Sequence, residues 1–333
     1  MLLRNGNSGG FEVYDISNNL ITNAAFLGTV GLNWQVMGFG NFSSSGETDM
    51  ILRNTGTGGV EVYDISNNQL TGANFMGTVG LNWQFSGVGN FSSKGESDML
   101  LRNSNNGGLE VYDIANNQIT TAAFIGTIGA DWQFSGVGNF SGMPGETDLL
   151  LRNSRNGGLE VYDIANNQIA NAAFIGTVGL DWQFSGVGNF SGIAGETDLL
   201  LRNVNTGALE VYDINNNQLT NAAFLGTVGL DWQFAGVAPI RGPGTSDLVL
   251  RNVTTGVFEA YNIANNQIIG AASLGKVGLE WQVGGFAANP APASMGSSGS
   301  VSLLAQAMAA FGGGSEAGDS LNAAPLGADT CRD

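Results

Sequence analysis

Histidine is absent from all 333 residues, and cysteine occurs once, as Cys331. Without imidazole the chain has no Ser-His-Asp or Cys-His nucleophile system, no histidine acid–base chemistry and no His-ligated zinc or haem. A single cysteine forms no intrachain disulfide. Cations are scarce: 11 Lys and Arg stand against 28 Asp and Glu, a formal charge of −17. That balance argues against nucleic acid, which needs a basic face, and against an anionic membrane surface. No apolar run approaches the ~18 residues of a spanning helix. Met1-Leu2-Leu3-Arg4-Asn5 has no charged n-region or long apolar h-region, so no N-terminal signal peptide is expected.

Glycine, by contrast, is abundant, with 52 residues against roughly 23 expected at average usage. It belongs to a repeat. Leu-Arg-Asn recurs at Leu3, Leu52, Leu101, Leu151, Leu201 and Leu250, at intervals of 49, 49, 50, 50 and 49 residues. Trp-Gln recurs in step, and all six Trp and all six Tyr fall on repeat positions. The units starting at Leu101 and Leu151 differ at seven of 50 positions. A period of this length means a propeller or a solenoid.

Within a unit the apolar period is two. Four short segments rich in β-branched, Leu and aromatic residues alternate with Gly/Asn turns, and no stretch carries a helical pattern long enough to count. Four strands per unit make the blade of a β-propeller. We label them in chain order: A starts at Trp, B is Asp-x-x-Leu-Arg-Asn, C is Glu-Val-Tyr-Asp, and D is Ala-Ala-Phe-Ile-Gly-Thr or its equivalent. The chain opens at a B strand and its last clear strand, Trp281 to Phe286, is an A. Residues 1–287 therefore predict an all-β propeller of six blades, five contiguous and one split between the two ends, which closes the ring and removes exposed edges. Met1 opens inside a repeat, which leaves room for further blades upstream. Residues 288–333 read as a Gly/Ala/Ser-rich tail, with a linker from Asn289 and a short amphipathic helix over 301–311. Its composition suits a C-terminal export signal.

The junction Gly138-Asn-Phe-Ser-Gly-Met-Pro-Gly-Glu-Thr-Asp-Leu-Leu-Leu-Arg-Asn153 resembles the FG-GAP/VCBS repeat of integrin α-chain propellers and bacterial secreted proteins. The resemblance recurs over residues 1–287 and implies a non-catalytic binding or adhesion module, often part of a larger exported protein. Its A–B hairpin usually holds calcium through several carboxylates. Here the corresponding loops offer Asn41, Ser43, Ser45 and Asp49, or Asn90, Ser92, Lys94 and Asp98; later copies place Met143-Pro144, Ile193-Ala194, Arg241 and Pro243 there. Hard cations take about six or more oxygens, so no calcium or other cofactor is expected. Asp49, Asp98, Asp148, Asp198 and Asp247 read instead as turn caps accepting loop N–H groups.

In a four-stranded meander the B–C and D–A turns share one end of the propeller. Arg53-Asn54, Arg102-Asn103, Arg152-Asn153 and Arg202-Asn203 end B strands; Asn82-Trp83, Asp131-Trp132, Asp181-Trp182 and Asp231-Trp232 open A strands. Flat aromatics beside Arg, Asn and Asp suit a sugar ring: the apolar face stacks and planar polar groups bond adjacent hydroxyls. These sixteen residues are the candidate ligand site. Each also has a structural reading, with Trp filling the gap between blades and Arg pairing with Glu110 on the next strand. Tyr112 and its equivalents read as core, and the Asn-Asn-Gln turns on the opposite end as tight hairpins. The divergent last copy keeps Arg251, Asn252, Glu259, Tyr261 and Trp281 but carries Asn262 in place of Asp.

Three functions are left. The first is multivalent carbohydrate recognition by a secreted or surface-associated bacterial module, outside the cell. The second is a protein-interaction or spacer domain of a larger adhesin. The third is a glycoside hydrolase using carboxylates such as Glu146 and Asp148; the equivalence of the copies speaks against it, since a catalytic site breaks repeat symmetry.

Overall fold

The computed structural model describes residues 1–287. The predicted linker, the helix over 301–311 and Cys331 lie outside the described residues. Every regular element among the described residues is a strand, and the 24 strands form six four-stranded antiparallel sheets. Five sheets are contiguous in sequence: blade one spans Trp34–Thr78, blade two Trp83–Thr127, blade three Trp132–Thr177, blade four Trp182–Thr227 and blade five Trp232–Lys276. The closing blade takes its A strand, Trp281–Gly285, from the far end of the chain and its B, C and D strands from Leu2–Asn5, Gly10–Ser17 and Leu20–Thr29. Leu3 pairs with Val283, Arg4 with Gln282 and Asn5 with Trp281. The expected six-bladed propeller with one split blade is the fold.

Sequence pattern follows radial position. The A strands contact one another around the axis, including Trp281–Gly285 against Trp34–Gly40. Strand B lies between A and C within its sheet and between neighbouring blades on both faces. It therefore reads as an unbroken apolar run: Asp148–Asn153 is Asp-Leu-Leu-Leu-Arg-Asn, buried throughout except at Arg152. Strand D, at the rim, is the most exposed, with Gln168–Thr177 buried only at Ile175. Close approach at the axis explains one repeated glycine. Gly136 sits at a bulge in strand A with φ of 146°, and a Cβ there would lie 2.9 Å from Val187 Cγ1 of the next blade.

Side chains in the turns tie each blade to the next. Asn116 and Asn117 have φ of 51° and 59°, the left-handed pair of a type I′ hairpin, and the other C–D turns repeat them. The second Asn also reaches backwards. Asn117 donates its N–H to Phe42 O at 2.8 Å and its Nδ2 to Asp64 at 2.7 Å, both in the preceding blade. Asn68, Asn167, Asn217 and Asn266 donate Nδ2 to Asp15, Asp113, Asp163 and Asp213 in the same way. At the sixth seam Asn19 faces blade five, whose equivalent residue is Asn262, and the Oδ1 atoms of both are buried without a partner. The Thr/Ser-Asp motif of the A–B loop is equally structural. Thr147 Oγ1 accepts Asn90 N–H from the preceding blade at 2.9 Å, while Asp148 Oδ2 accepts Phe140 and Ser141 N–H of its own loop.

Candidate functional site

The meander brings the predicted site residues to one end of the ring, where the B–C and D–A turns lie. It brings them there largely to hold the turns. Each Arg at the end of strand B points along the blade to the carbonyl of the glycine where the chain leaves for the next blade. Arg53 donates to Gly80 O at 2.7 Å, Arg102 to Gly129 O at 2.9 Å, Arg152 to Gly179 O at 2.7 Å and Arg202 to Gly229 O at 2.9 Å. Arg102 also donates to Trp132 O at 2.6 Å. Burial lowers the pKa of all four guanidinium groups from the ordinary arginine value. The anticipated Arg102–Glu110 pair is absent because strand register forbids it: Arg102 faces Leu109, Glu110 faces Leu101, and Glu110 takes the Tyr112 hydroxyl instead.

The asparagines cap the B–C turns. Asn54 Oδ1 accepts the N–H groups of Gly56 and Thr57, Asn103 Oδ1 that of Asn105, Asn153 Oδ1 that of Arg155 and Asn203 Oδ1 that of Asn205, all within 3.0 Å. At the D–A turn the chain is pinned through its carbonyls: Asn82 O, Asp131 O and Asp181 O accept the N–H groups of Ser104, Ser154 and Val204. The Asp side chains remain at the surface. Asp131 meets Arg155 at 2.7 Å across an exposed ion pair, Asp181 accepts Asn203 Nδ2, and Asp231 accepts Asn252 Nδ2. Trp83, Trp132, Trp182 and Trp232 are half-buried and pack against the apolar clusters between blades. The surface of this end therefore offers Trp edges and Asp carboxylates, while its Arg and Asn are engaged by the fold.

The A–B loops do not fit a calcium site. Their aspartates are buried, with Oδ2 of Asp49, Asp98, Asp148, Asp198 and Asp247 each accepting a loop N–H. In two of the five loops a cation is already paired with a nearby carboxylate: Lys94 lies 2.9 Å from Asp113 and Arg241 lies 2.9 Å from Asp247. Among the described residues no group of three or more carboxylate, His or Cys side chains is placed to hold a metal. A cavity of about 140 Å³ lies on this opposite end between blades three and four, lined by Asn139, Gly142, Glu196, Asn215 and Asn216. It is smaller than the ~300 Å³ at which ligand pockets begin.

The sequence reading passed over five phenylalanines. Phe26, Phe75, Phe124, Phe174 and Phe224, all in strand D, are 61 to 64% exposed. Their signal was available: the Ala-Ala-Phe or Ala-Asn-Phe of five copies becomes Ala-Ala-Ser273 in the last.

Fold and site together define a six-bladed β-propeller with equivalent, shallow surfaces and polar turns at both ends. The chain matches no family model and no curated protein sequence. Among solved structures it is similar to the Photorhabdus luminescens Tc holotoxin pore, with 13% identity and a TM-score of 0.49, covering 79% of this chain and 15% of that one. It is also similar to a calcium-binding protein, regucalcin, from Agrobacterium tumefaciens, with 12% identity and a TM-score of 0.44 over 72% of this chain and 74% of that one. A DUF4221 family member from Bacteroides vulgatus gives 10% identity and a TM-score of 0.44 over 73% and 83%. At these values the likenesses say nothing about ligand or activity.

Proposed function

We propose that this chain is a non-catalytic, multivalent binding module that recognises carbohydrate through shallow sites repeated from blade to blade. The observation that supports this reading is the exposure of the same aromatic side chain, at the same level, on five blades. Exposed large aromatics are costly to solvate, and a sugar's apolar ring face is a natural cover for them. Several weak equivalent sites give avidity without one deep pocket. In this reading the module is of the FG-GAP/VCBS type, works at the cell surface or outside the cell as part of a larger protein, and needs no metal in its A–B loops.

A second reading has its own support. The arginines and asparagines of the turn end are engaged in backbone hydrogen bonds, as expected of a spacer or protein-interaction domain whose repeats serve the fold. A glycan-array screen of the full chain, with calcium and then with chelator, separates the readings. Selective binding that survives chelation is the expected result. Binding lost with chelator refutes the metal-free reading, and a blank array from folded protein favours the spacer.

A further inference from the structure

On each blade, strands A, B, C and D carry a row of residues on one face near the turn end. In blade two the pairings Trp83–Asn103 and Glu110–Phe124 set that face. Phe124 leans over Gly108, whose Cβ position lies 3.2 Å from Phe124 Cε2. In blade three the Cβ position of Gly158 lies 3.2 Å from Phe174 Cε2 and 3.7 Å from Trp132 Cη2, so the missing side chain is what lets the Phe ring rest against the sheet beside the Trp. Blade one repeats this with Gly59, Phe75 and Trp34. Directly opposite each Phe on strand C is a glutamate, with Cβ atoms about 5 Å apart in such pairs. The glutamate is oriented from behind by the tyrosine two residues on: Tyr112 to Glu110 at 2.6 Å, Tyr63 to Glu61 at 2.7 Å and Tyr212 to Glu210 at 2.6 Å. That bond uses Oε2 of Glu110.

We propose that each exposed rim Phe with the glutamate facing it is a pyranose site, and that the chain therefore carries five sites on six blades. The inference rests on the carbohydrate reading and moves its site from the Arg-Asn turns to the rim. The glycine lets the Phe ring lie against the sheet, the ring's outer face stacks on the apolar face of the sugar, and the facing glutamate accepts from the sugar's hydroxyls. Blade five lacks the site: Ser273 replaces Phe and Val257 replaces Gly, while Glu259 and Tyr261 remain. Blade five has therefore lost the ring and the glycine together. In blade four Ala208 replaces the glycine and Phe224 stays exposed. A neutral sugar fits better than a basic side chain, because the repeated exposed feature is the ring face, while each glutamate is already bonded to a tyrosine hydroxyl.

The test is native mass spectrometry and calorimetry of the full chain with cellohexaose, chitohexaose and mannohexaose, using oligolysine as the cationic alternative. Five sites for one of the hexasaccharides are expected. Replacing Phe26, Phe75, Phe124, Phe174 and Phe224 by the Ser of blade five should weaken each site about tenfold or more while leaving the melting temperature nearly unchanged. The double change V257G/S273F should raise the count to six. Binding by the wild type that the five Phe→Ser changes leave intact would overturn the rim site but not carbohydrate recognition. So would binding lost on changing Asp131, Asp181 and Asp231 alone. Folded wild type that binds oligolysine and none of the sugars would overturn both.

Discussion

Asp148 gives the protein a pH dependence whose sign and size follow from its surroundings. The side chain has no exposed surface, its Oδ2 accepts two loop N–H groups at 2.8 and 2.7 Å, and its Oδ1 has no partner. Burial lifts its pKa to about 7; the loop hydrogen bonds oppose the shift and the nearby Asp163 carboxylate adds to it. Burial likewise lifts Asp98 and Asp198 to about 6. In an unfolded chain aspartate titrates near ~3.9. Between about pH 4 and 7 the native state thus holds protons that the unfolded chain has released, so unfolding free energy falls as pH rises. The contribution is complete below about pH 4 and lost above about pH 7. At about 1.4 kcal/mol per unit, Asp148 alone accounts for roughly 4 kcal/mol. Asp148→Asn keeps an oxygen facing the loop N–H groups and removes the charge. Urea unfolding should find the wild type more stable at pH 5 than at pH 8, with Asp148→Asn stabilising by up to roughly 4 kcal/mol at pH 8 and by about 1.5 kcal/mol at pH 5. Exposed Glu280→Gln controls for net charge and should shift both by a few tenths of a kcal/mol at most. A wild type more stable at pH 8, or an Asp148→Asn that destabilises equally at both, would refute the reasoning.

Three further outcomes test how the turns are held. Arg102→Met removes donors to Gly129 O and Trp132 O and should cost about 2–4 kcal/mol in urea unfolding. Arg53→Met, which removes a single bond to Gly80 O, should cost about half as much. Asn262→Asp gives Asn19 the acceptor that its counterparts have at the other five seams and should stabilise ring closure by about 1 kcal/mol, read as a higher melting temperature. Gly157→Ala should cost more than about 3 kcal/mol, because φ is +74° and its Cβ would overlap the Val178 carbonyl oxygen at 1.8 Å. Gly95→Ala, at φ of +78° with nothing within 4 Å, should cost only about 1 kcal/mol.

Blade count, strand order and the split closure were legible because the information is periodic. Trp, Leu-Arg-Asn and Val-Tyr-Asp recur at one interval, and the phase of the first and last strands requires that they share a sheet. The buried aspartates were legible as caps for a local reason: Asp at the base of a loop bonds N–H groups a few residues away. The Arg bonds were not legible. They cross about 27 residues to a backbone carbonyl, and backbone acceptors leave no mark in a side-chain pattern. The exposed phenylalanines were missed because an aromatic in a strand pattern reads as core, and only the geometry of the rim strand shows Phe124 facing solvent.

Asn262 shows how one substitution changes meaning once its neighbours are known. In the sequence its loss of charge argues that no aspartate is needed at this position in every blade. In the structure the aspartate is the acceptor of an inter-blade bond at five seams, and the exception lies at the seam where blade five meets the closing blade. Other departures fall in the same blade. Thr245 replaces the loop glutamate, Arg241 supplies a guanidinium to Asp247 Oδ1 at 2.9 Å, and Ser273 and Val257 replace the rim Phe and Gly. Arg241 makes the physical logic clearest. In the four blades without it, the matching Oδ1 of Asp49, Asp98, Asp148 and Asp198 is buried and unpartnered, whereas in blade five the arginine and Ile263 N–H both reach it. Blade five has thus relieved a buried acceptor that four sister blades leave unsatisfied, and it has lost the rim platform. Its interior is not better paired throughout, since Asn262 Oδ1 and Asn266 Oδ1 stay buried without a partner: the same blade has gained a donor at its A–B loop and given up the carboxylate acceptor at its seam.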